Sequence, residues 1–98
     1  MLYISIHRYE ADFYPNNFSG SHERIGQGKG EGYNIHFPFL KKGRVADNEY
    51  IYACESLFFP IISEFNPDLI MISAGFDAAN GDVLGKINVS PVGFAWMT

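Results

Sequence analysis

Runs of apolar, β-branched and aromatic residues predict three strands. The run "LYISIH" at residues 2–7 predicts the first strand, and "YNIHF" at 33–37 predicts a second strand that Pro38 ends. Residues 69–73, "LIMIS", form a continuous apolar run that predicts a third strand. Such runs are typical of parallel strands that helices cover on both faces.

The stretch from about residue 48 to residue 65 has the spacing of an amphipathic helix, because its apolar residues recur at intervals of three and four. Asp47 or Asn48 is expected to cap its start by accepting a hydrogen bond from an unpaired backbone N–H. Pro60 lies inside it, removes one backbone hydrogen bond and is expected to kink the helix. The predicted buried stripe comprises Ile51, Cys54, Phe58, Ile61, Ile62 and Phe65.

The remaining segments complete an alternating pattern of strands and helices. Residues 8–32 show no sustained period and predict a long loop, and loops of that length within compact domains are usually functional. Ser90-Pro91 predicts the start of a last helix, with proline in its favoured first turn. The order of elements indicates a layered α/β fold with at least one parallel pair of strands.

Asp77 is the most informative single residue, because it interrupts an apolar run where the third strand is expected to end. In open parallel sheets, ligands bind beyond the carboxyl ends of the strands, which here are followed by residues 5–14 and 75–82. One interpretation of Asp77 is therefore a metal ligand or a catalytic acid. The alternative is a carboxylate that caps the following turn through backbone N–H groups.

Composition narrows the classes of protein that remain. The 98 residues suffice for one domain at most, and the 47% hydrophobic content excludes a disordered chain. The net charge of −4 gives no basic surface, so direct binding to DNA is not expected. The single cysteine cannot form an internal disulfide. We see no signal peptide and no apolar run long enough to span a membrane.

Two further patterns resemble known binding sites only in part. The stretch "GQGKGEG" at residues 26–32 departs from both the dinucleotide-binding and the P-loop patterns, so its glycines are interpreted as turn residues. The three histidines and Cys54 lack the paired spacing of a zinc site. His22 and His36 are interpreted as surface residues and Cys54 as a core residue. For His7, at the end of the first strand, a place near a pocket and a structural role both remain open.

Four segments together resemble the zinc-dependent histone deacetylases, most closely those of class II. They match in one register over essentially the whole chain, and "SAGFDAANGD" is the most specific of their motifs. The resemblance implies a segment of the arginase/deacetylase fold, a three-layer α/β fold with a parallel sheet between helices. It also implies a zinc-dependent hydrolase of the acetyl-lysine amides of histones or other proteins, with structural potassium. The segments are "LYISIHRYEADFYP", "GQGKGEGYNIHFPF", "DNEYIYACESLFFPIISEFNPDLIMISAGFDAANGD" and "VSPVGFAWMT".

Carried over by position, the resemblance assigns roles to individual residues. It makes Asp77 a zinc ligand and Tyr14 an aromatic wall of the acetyl-lysine tunnel. The Ser5 hydroxyl and the Ile6 carbonyl match ligands of an inner potassium site, and the Tyr33 carbonyl matches a ligand of an outer one. With the strand-end rule, it further predicts that the Asp77 side chain is turned towards the segment around Ser5–His7.

The chain also departs from the family pattern. The two other zinc ligands, the histidine pair that serves as general base and acid, and the oxyanion segment are expected outside residues 1–98. The chain is therefore expected to be a carboxyl-side core segment of a deacetylase catalytic domain, and to be inactive alone. The stretch "YPNNFSG" lacks the usual Pro-Gly after the aromatic pair, so the tunnel rim is expected to differ.

Two alternatives to a protein deacetylase remain open at this point. The chain could be a non-catalytic remnant or interaction fragment of the same fold, or part of an enzyme resembling the acetylpolyamine amidohydrolases. The resemblance also implies a corepressor complex as a partner and a location in the nucleus, the cytoplasm or both.

Overall fold

The computed structural model describes residues 1–15, 17–40 and 45–98. The chain forms two compact units, Met1–Lys42 and Gly43–Thr98. Strands occur in the first unit, whereas the longer helices occur in the second.

The first unit is built on two parallel strands, as the sequence predicts. Strand β1 covers Tyr3–Arg8 and strand β2 covers Asn34–Phe39, in a register that pairs Tyr3 with Asn34 and Arg8 with Phe39. Adjacent parallel pairing requires a long connection, and the segment between the strands supplies it.

Strand β2 runs through Pro38 rather than ending at it, so that part of the prediction is wrong. The amide of Tyr3 donates to the carbonyl of Tyr33, and the amide of Tyr9 donates to the carbonyl of Phe39. Because ladder bonds alternate along a strand, the N–H and C=O groups of the odd-numbered residues point towards the other strand in both β1 and β2. The nitrogen of Pro38 therefore points away from β1, where its missing N–H breaks no bond of this ladder.

The long connection contains two short 3₁₀ turns, Phe18–Gly20 and Gly28–Gly30. The backbone at Gly26 has a φ of 103°, and a Cβ atom there would overlap the carbonyl of Gly30. This geometry confirms that the glycines of residues 26–32 serve a tight turn.

The second unit begins with a helical stretch in three parts. Helix α1 covers Asp47–Ala53, a π-helical segment covers Cys54–Phe58, and helix α2 covers Phe59–Phe65. Pro60 explains the interruption, because its ring would clash with the carbonyl four residues earlier in a regular α-helix. The wider π turn directly before it accommodates the missing hydrogen bond.

The predicted cap of this helix is wrong by one residue. Ala46 occupies the N-cap position, and the Glu49 carboxylate accepts its backbone N–H at 2.9 Å. Asp47 is already the first helical residue, and its carboxylate binds elsewhere, as described below.

The predicted buried stripe is confirmed in its centre. Cys54 and Phe58 are buried, at 6% and 5% exposure, together with Tyr50 and Ala53 on the same helical stretch. The predicted members Ile51, Ile61 and Ile62 are only half-buried, and Phe65 is 38% exposed. The core of the unit also includes residues before and after the helices, namely Val45, Ile87 and Val89.

The third predicted strand is absent from the part of the chain that the structure describes. Residues 69–73 have no ladder partner there, and Leu69, Ile70, Met71 and Ile72 are 60% to 85% exposed. An apolar run becomes a strand only when a neighbouring strand satisfies its backbone groups, and the described residues provide none. The run is continuous as predicted, but it is not part of a sheet.

The last helix confirms its prediction. Helix α3 covers Pro91–Met97, with Pro91 in its first turn and Ser90 as the N-cap. The Ser90 hydroxyl accepts the amide of Gly93 at 3.1 Å. No helix within the described ranges has both the length and the apolar character needed to cross a membrane.

Candidate functional site

Asp77 lies in a 3₁₀ turn, Phe76–Ala78, that directly follows the exposed apolar run. The amide of Ala78 donates to the carbonyl of Gly75 at 3.3 Å, and the amide of Ala79 donates to that of Phe76 at 3.0 Å. The side chain of Asp77 is exposed within its unit. A carboxylate in this setting is accessible to a ligand and is held on a short, hydrogen-bonded turn.

A second turn, over residues 82–85, packs against the backbone of Asp77. The Asp82 carboxylate accepts the amides of Leu84 at 2.8 Å and of Gly85 at 2.7 Å, which closes the turn over residues 82–85. Gly85 is buried, and a Cβ atom there would overlap the backbone carbonyl of Asp77. The absence of a side chain at residue 85 is thus what lets the two turns pack together.

A buried tyrosine lies near this carboxylate. Tyr50 is 4% exposed on helix α1. Burial, and secondly the negative charge of Asp77, raise the pKa of Tyr50 to about 12. The phenol therefore remains neutral beside the carboxylate at physiological pH.

Helices α1 and α3 are joined at their first turns by Asp47 and Ser90. The Asp47 carboxylate accepts the Ser90 hydroxyl at 2.5 Å and the Ser90 amide at 2.7 Å. These two bonds, with the larger effect from the hydroxyl, lower the pKa of Asp47 despite the opposing effect of desolvation. Two isolated parallel bridges lie beside this pair: Ala46 pairs with Asn88, and Ala79 pairs with Val89. The Asp77 turn is thereby connected to the start of both helices.

In the first unit, the candidate potassium ligands occupy or adjoin β1. The Ser5 hydroxyl lies 2.8 Å from Nδ1 of His7. By the alternation established for the β1–β2 ladder, the carbonyl of Ile6 is turned away from β2. The Tyr33 carbonyl accepts the amide of Tyr3 at 2.9 Å, and a carbonyl oxygen has a second lone pair. Hydroxyl and carbonyl oxygens are the donors that a hard cation requires, so these residues fit potassium chemically.

Tyr14, the candidate tunnel residue, is 84% exposed on the loop after β1. The loop is anchored at its start by Arg8, which is 7% exposed. Its Nε donates to the Glu10 carboxylate at 2.6 Å, and its guanidinium lies 4.0 Å from the ring centroid of Phe13. This cation–π contact fixes the residue directly before Tyr14.

The cysteine and two of the histidines differ in burial. Cys54 is buried and His22 is exposed, as predicted. His36 is not a surface residue: it is half-buried, and its Nδ1 is buried with no hydrogen-bond partner among the described residues. Burial, and secondly the electrostatic effect of the neighbouring His7, lower the pKa of His36.

A complete metal site would need several such side chains together. Within residues 1–15, 17–40 and 45–98, no three or more His, Cys, Asp or Glu residues form a group that could hold a metal ion. Asp77 suits zinc as one oxygen ligand, but the described residues do not form a full zinc site. The predicted orientation of Asp77 towards the segment around Ser5 concerns both units and stays a prediction.

Comparison with known proteins defines the class of the chain. Residues 1–98 match the family "Histone deacetylase domain". The chain belongs to the histone deacetylase family. It is 48% identical to histone deacetylase HDA1 of Candida albicans over the whole chain, and spans 12% of that protein. It is 46% identical to histone deacetylase 15 of Arabidopsis thaliana, again over the whole chain, and spans 17% of it.

Solved structures agree with this assignment and with the predicted fold class. The chain superimposes on the HDA15 HD domain with a TM-score of 0.91 at 46% identity, covering 98% of this chain and 26% of that one. It superimposes on the histone deacetylase Clr3 with a TM-score of 0.94 at 42% identity, covering 98% and 16% respectively. The described structure is thus an α/β segment of the deacetylase fold.

Sequence reasoning did not identify every residue that shapes these candidate sites. Arg8, Asp82 and Gly85 are not among the residues that the sequence predicts for a site, and the sequence leaves two roles open for His7. A signal for Asp82 was present, because "NGD" is a frequent turn sequence with an aspartate positioned to accept the following amides. No local pattern indicates that Gly85 contacts Asp77, since that contact depends on how two turns pack.

Proposed function

We propose that the protein carrying this chain is a zinc-dependent hydrolase that removes acetyl groups from lysine side chains of histones or other proteins. The observation that carries the proposal is the match of the histone deacetylase family over residues 1–98. The chain covers a small share of its relatives, so it is proposed to be part of a catalytic domain. Its substrate is proposed to be an acetylated protein, and its location the nucleus or the cytoplasm.

Within this proposal, Asp77 contributes one carboxylate ligand towards zinc, and the remaining ligands come from outside residues 1–98. When bound, zinc supplies a Lewis acid for the acetyl carbonyl and for water. The accessible position of Asp77 and the turn that braces it support this role. The contribution of this chain is to hold that carboxylate at a fixed position.

Ser5, Ile6 and Tyr33 are proposed as potassium ligands, and Tyr14 as a substrate-binding residue. The oxygen chemistry of the first three and the exposure of the Tyr14 ring support these assignments. An exposed aromatic ring can pack along the apolar stem of a lysine while leaving its amide accessible.

A second candidate is a polyamine substrate. The chain is 40% identical to the protein named polyamine deacetylase HDAC10 of Danio rerio, over the whole chain and 14% of that protein. Higher identity to the histone deacetylases favours a protein substrate. Both substrate types are deacetylated by cleavage of an acetyl amide bond, so Asp77 has the same proposed role in either case.

The proposal is tested on the full-length protein with an acetyl-lysine peptide and, in parallel, N-acetylspermidine. We expect turnover of the peptide that a hydroxamate chelator inhibits and that exceeds turnover of the polyamine. Greater turnover of the polyamine would favour the second candidate. No turnover of either substrate by a folded full-length protein with added zinc would contradict both, and would favour the non-catalytic alternative.

A further inference from the structure

We propose that His7 is a positioning residue that connects two parts of the proposed deacetylase site: the Ser5 hydroxyl and the loop that carries Tyr14. The inference rests on the proposed function and deepens it. His7 itself need not touch the substrate, because it acts through the groups that its two ring nitrogens bind.

The two hydrogen-bond partners of His7 determine which ring nitrogen carries the hydrogen. Its Nε2 lies 2.8 Å from the carbonyl of Gly20, and its Nδ1 lies 2.8 Å from the Ser5 hydroxyl. A carbonyl oxygen can only accept, so Nε2 must carry a hydrogen. In the neutral ring Nδ1 is then an acceptor, and the Ser5 hydroxyl donates its hydrogen to it.

One partner of His7 is the Ser5 hydroxyl. Because the hydroxyl hydrogen points to His7, the lone pairs of the oxygen are directed elsewhere. The carbonyl of the adjacent Ile6 is also turned away from β2. By accepting the hydroxyl hydrogen, His7 therefore leaves the lone pairs of the Ser5 oxygen for a cation.

The other partner of His7 is the carbonyl of Gly20, in the loop. Gly20 ends the 3₁₀ turn Phe18–Gly20 and is buried. A Cβ atom at Gly20 would lie 2.8 Å from Nε2 of His7 and 3.1 Å from Cδ2 of Tyr9, so glycine allows this close approach. The Arg8–Phe13 contact fixes the start of the loop, and the His7–Gly20 bond fixes the loop again at Gly20. Tyr14 lies in sequence between these two fixed points.

The ring of His7 is itself held in place. It contacts Tyr9 edge-on, with centroids 6.3 Å apart at 79°, and contacts His36 at 5.7 Å and 81°. A ring fixed by two edge contacts keeps both nitrogens aligned with their partners. Thus one side chain determines the geometry of a proposed cation ligand and of a proposed substrate loop.

Two variants separate these roles in the full-length protein. The amide nitrogen of His7→Gln lies near the position of Nε2 and preserves the bond to Gly20, whereas the amide oxygen of His7→Asn lies near Nδ1 and preserves the bond to Ser5. His22→Gln is the matched control, because His22 is exposed. Three quantities are measured for each variant: amide hydrogen exchange over residues 9–20, KM and kcat for an acetyl-lysine peptide, and the potassium concentration that half-maximally raises Tm.

The two variants should show opposite patterns. His7→Asn should accelerate exchange of the loop and raise KM, each by about fivefold, which corresponds to the loss of one hydrogen bond. It should leave the potassium response unchanged. His7→Gln should raise the half-maximal potassium concentration by about fivefold and leave loop exchange and KM unchanged. The control should change none of the three.

Gly20→Ala provides a second route to the loop result, because it pushes against Nε2 without altering the histidine. It should reproduce the pattern of His7→Asn. Identical effects of the two His7 variants on all readouts, or no effect of either, would overturn the proposal. If the unaltered protein shows no turnover, the proposed function fails, and loop exchange and the potassium response still decide the role of His7.

Discussion

The backbone carbonyl of Asp77 occupies the space that a Cβ atom on Gly85 would need. The two residues belong to separate turns, one over 76–78 and one closed by the Asp82 carboxylate. The position of the candidate zinc ligand therefore depends on a residue that has no side chain.

Gly85→Ala should displace the Asp77 backbone in the full-length protein. Overpacking at a buried position costs about 1–3 kcal/mol of unfolding free energy, and a displacement near 1 Å at a reactive site costs about 100-fold in rate. We expect lower zinc content and lower kcat/KM for an acetyl-lysine peptide. Gly30→Ala is the matched control, because a Cβ atom there meets no atom within 4 Å. Equal behaviour of the two variants would show that the close approach has no consequence.

The Asp47–Ser90 pair should make stability sensitive to acid. The folded-state pKa of Asp47 is lowered below its ordinary value of 3.8 by the Ser90 hydrogen bonds. A carboxyl group with a depressed pKa contributes stability above the unfolded pKa, and this contribution is lost as pH falls through the folded pKa. In melts across this range, Asp47→Asn should lose less Tm on acidification than the unaltered protein, while Asp68→Asn should match it. An unaltered acid response in Asp47→Asn would refute this assignment.

Phe58 should dominate the packing of the helical stretch in the second unit. Its side chain is 5% exposed, whereas Tyr52 on the same stretch is 68% exposed. In the full-length protein, Phe58→Ala should reduce the unfolding free energy by about 3–5 kcal/mol, measured by denaturant melts. Tyr52→Ala should have a much smaller effect. A cost near zero for Phe58→Ala would mean that the buried face is misassigned.

Local sequence patterns predicted helix α3, whose capping contact is local, and strand β1, which is present because β2 supplies a parallel partner. Strand β1 and helix α3 follow from β-branched runs and from the Ser90-Pro91 start, and both are present. The extension of β2 through Pro38 follows only from the ladder alternation, which the strand pairing defines. The apolar run at 69–73 illustrates the opposite case, because a strand requires a partner that the run itself does not encode.

The sequence also predicted only part of the candidate site. The abrupt appearance of Asp77 after an apolar run drew attention to it, and the family motif supplied its proposed role. The close contact of Gly85 with Asp77 and the two hydrogen bonds of His7 could not be predicted, because both depend on how irregular loops fold back on the chain. Tertiary packing of irregular segments leaves no periodic pattern in the sequence.

The isolated 98-residue chain should not hydrolyse acetyl-lysine. The reaction requires several metal ligands and a base for water, and the described residues hold no group of three or more metal-binding side chains. The measurement is peptide turnover by the purified chain with added zinc, with and without a hydroxamate chelator. Chelator-sensitive turnover by the chain alone would contradict this expectation.

The most direct test of the account is the zinc content and activity of the full-length protein when Asp77 is replaced. Asp77→Ala should lose bound zinc, measured by plasma mass spectrometry, and should lower kcat/KM for an acetyl-lysine peptide by at least about 100-fold. Loss of a residue that only hydrogen-bonds to a metal ligand already costs about 10–100-fold, and loss of a ligand should cost more. Asp68→Ala, at another exposed aspartate, should retain both. Full zinc occupancy and undiminished turnover in a folded Asp77→Ala protein would contradict the central claim that Asp77 is a metal ligand of a deacetylase site.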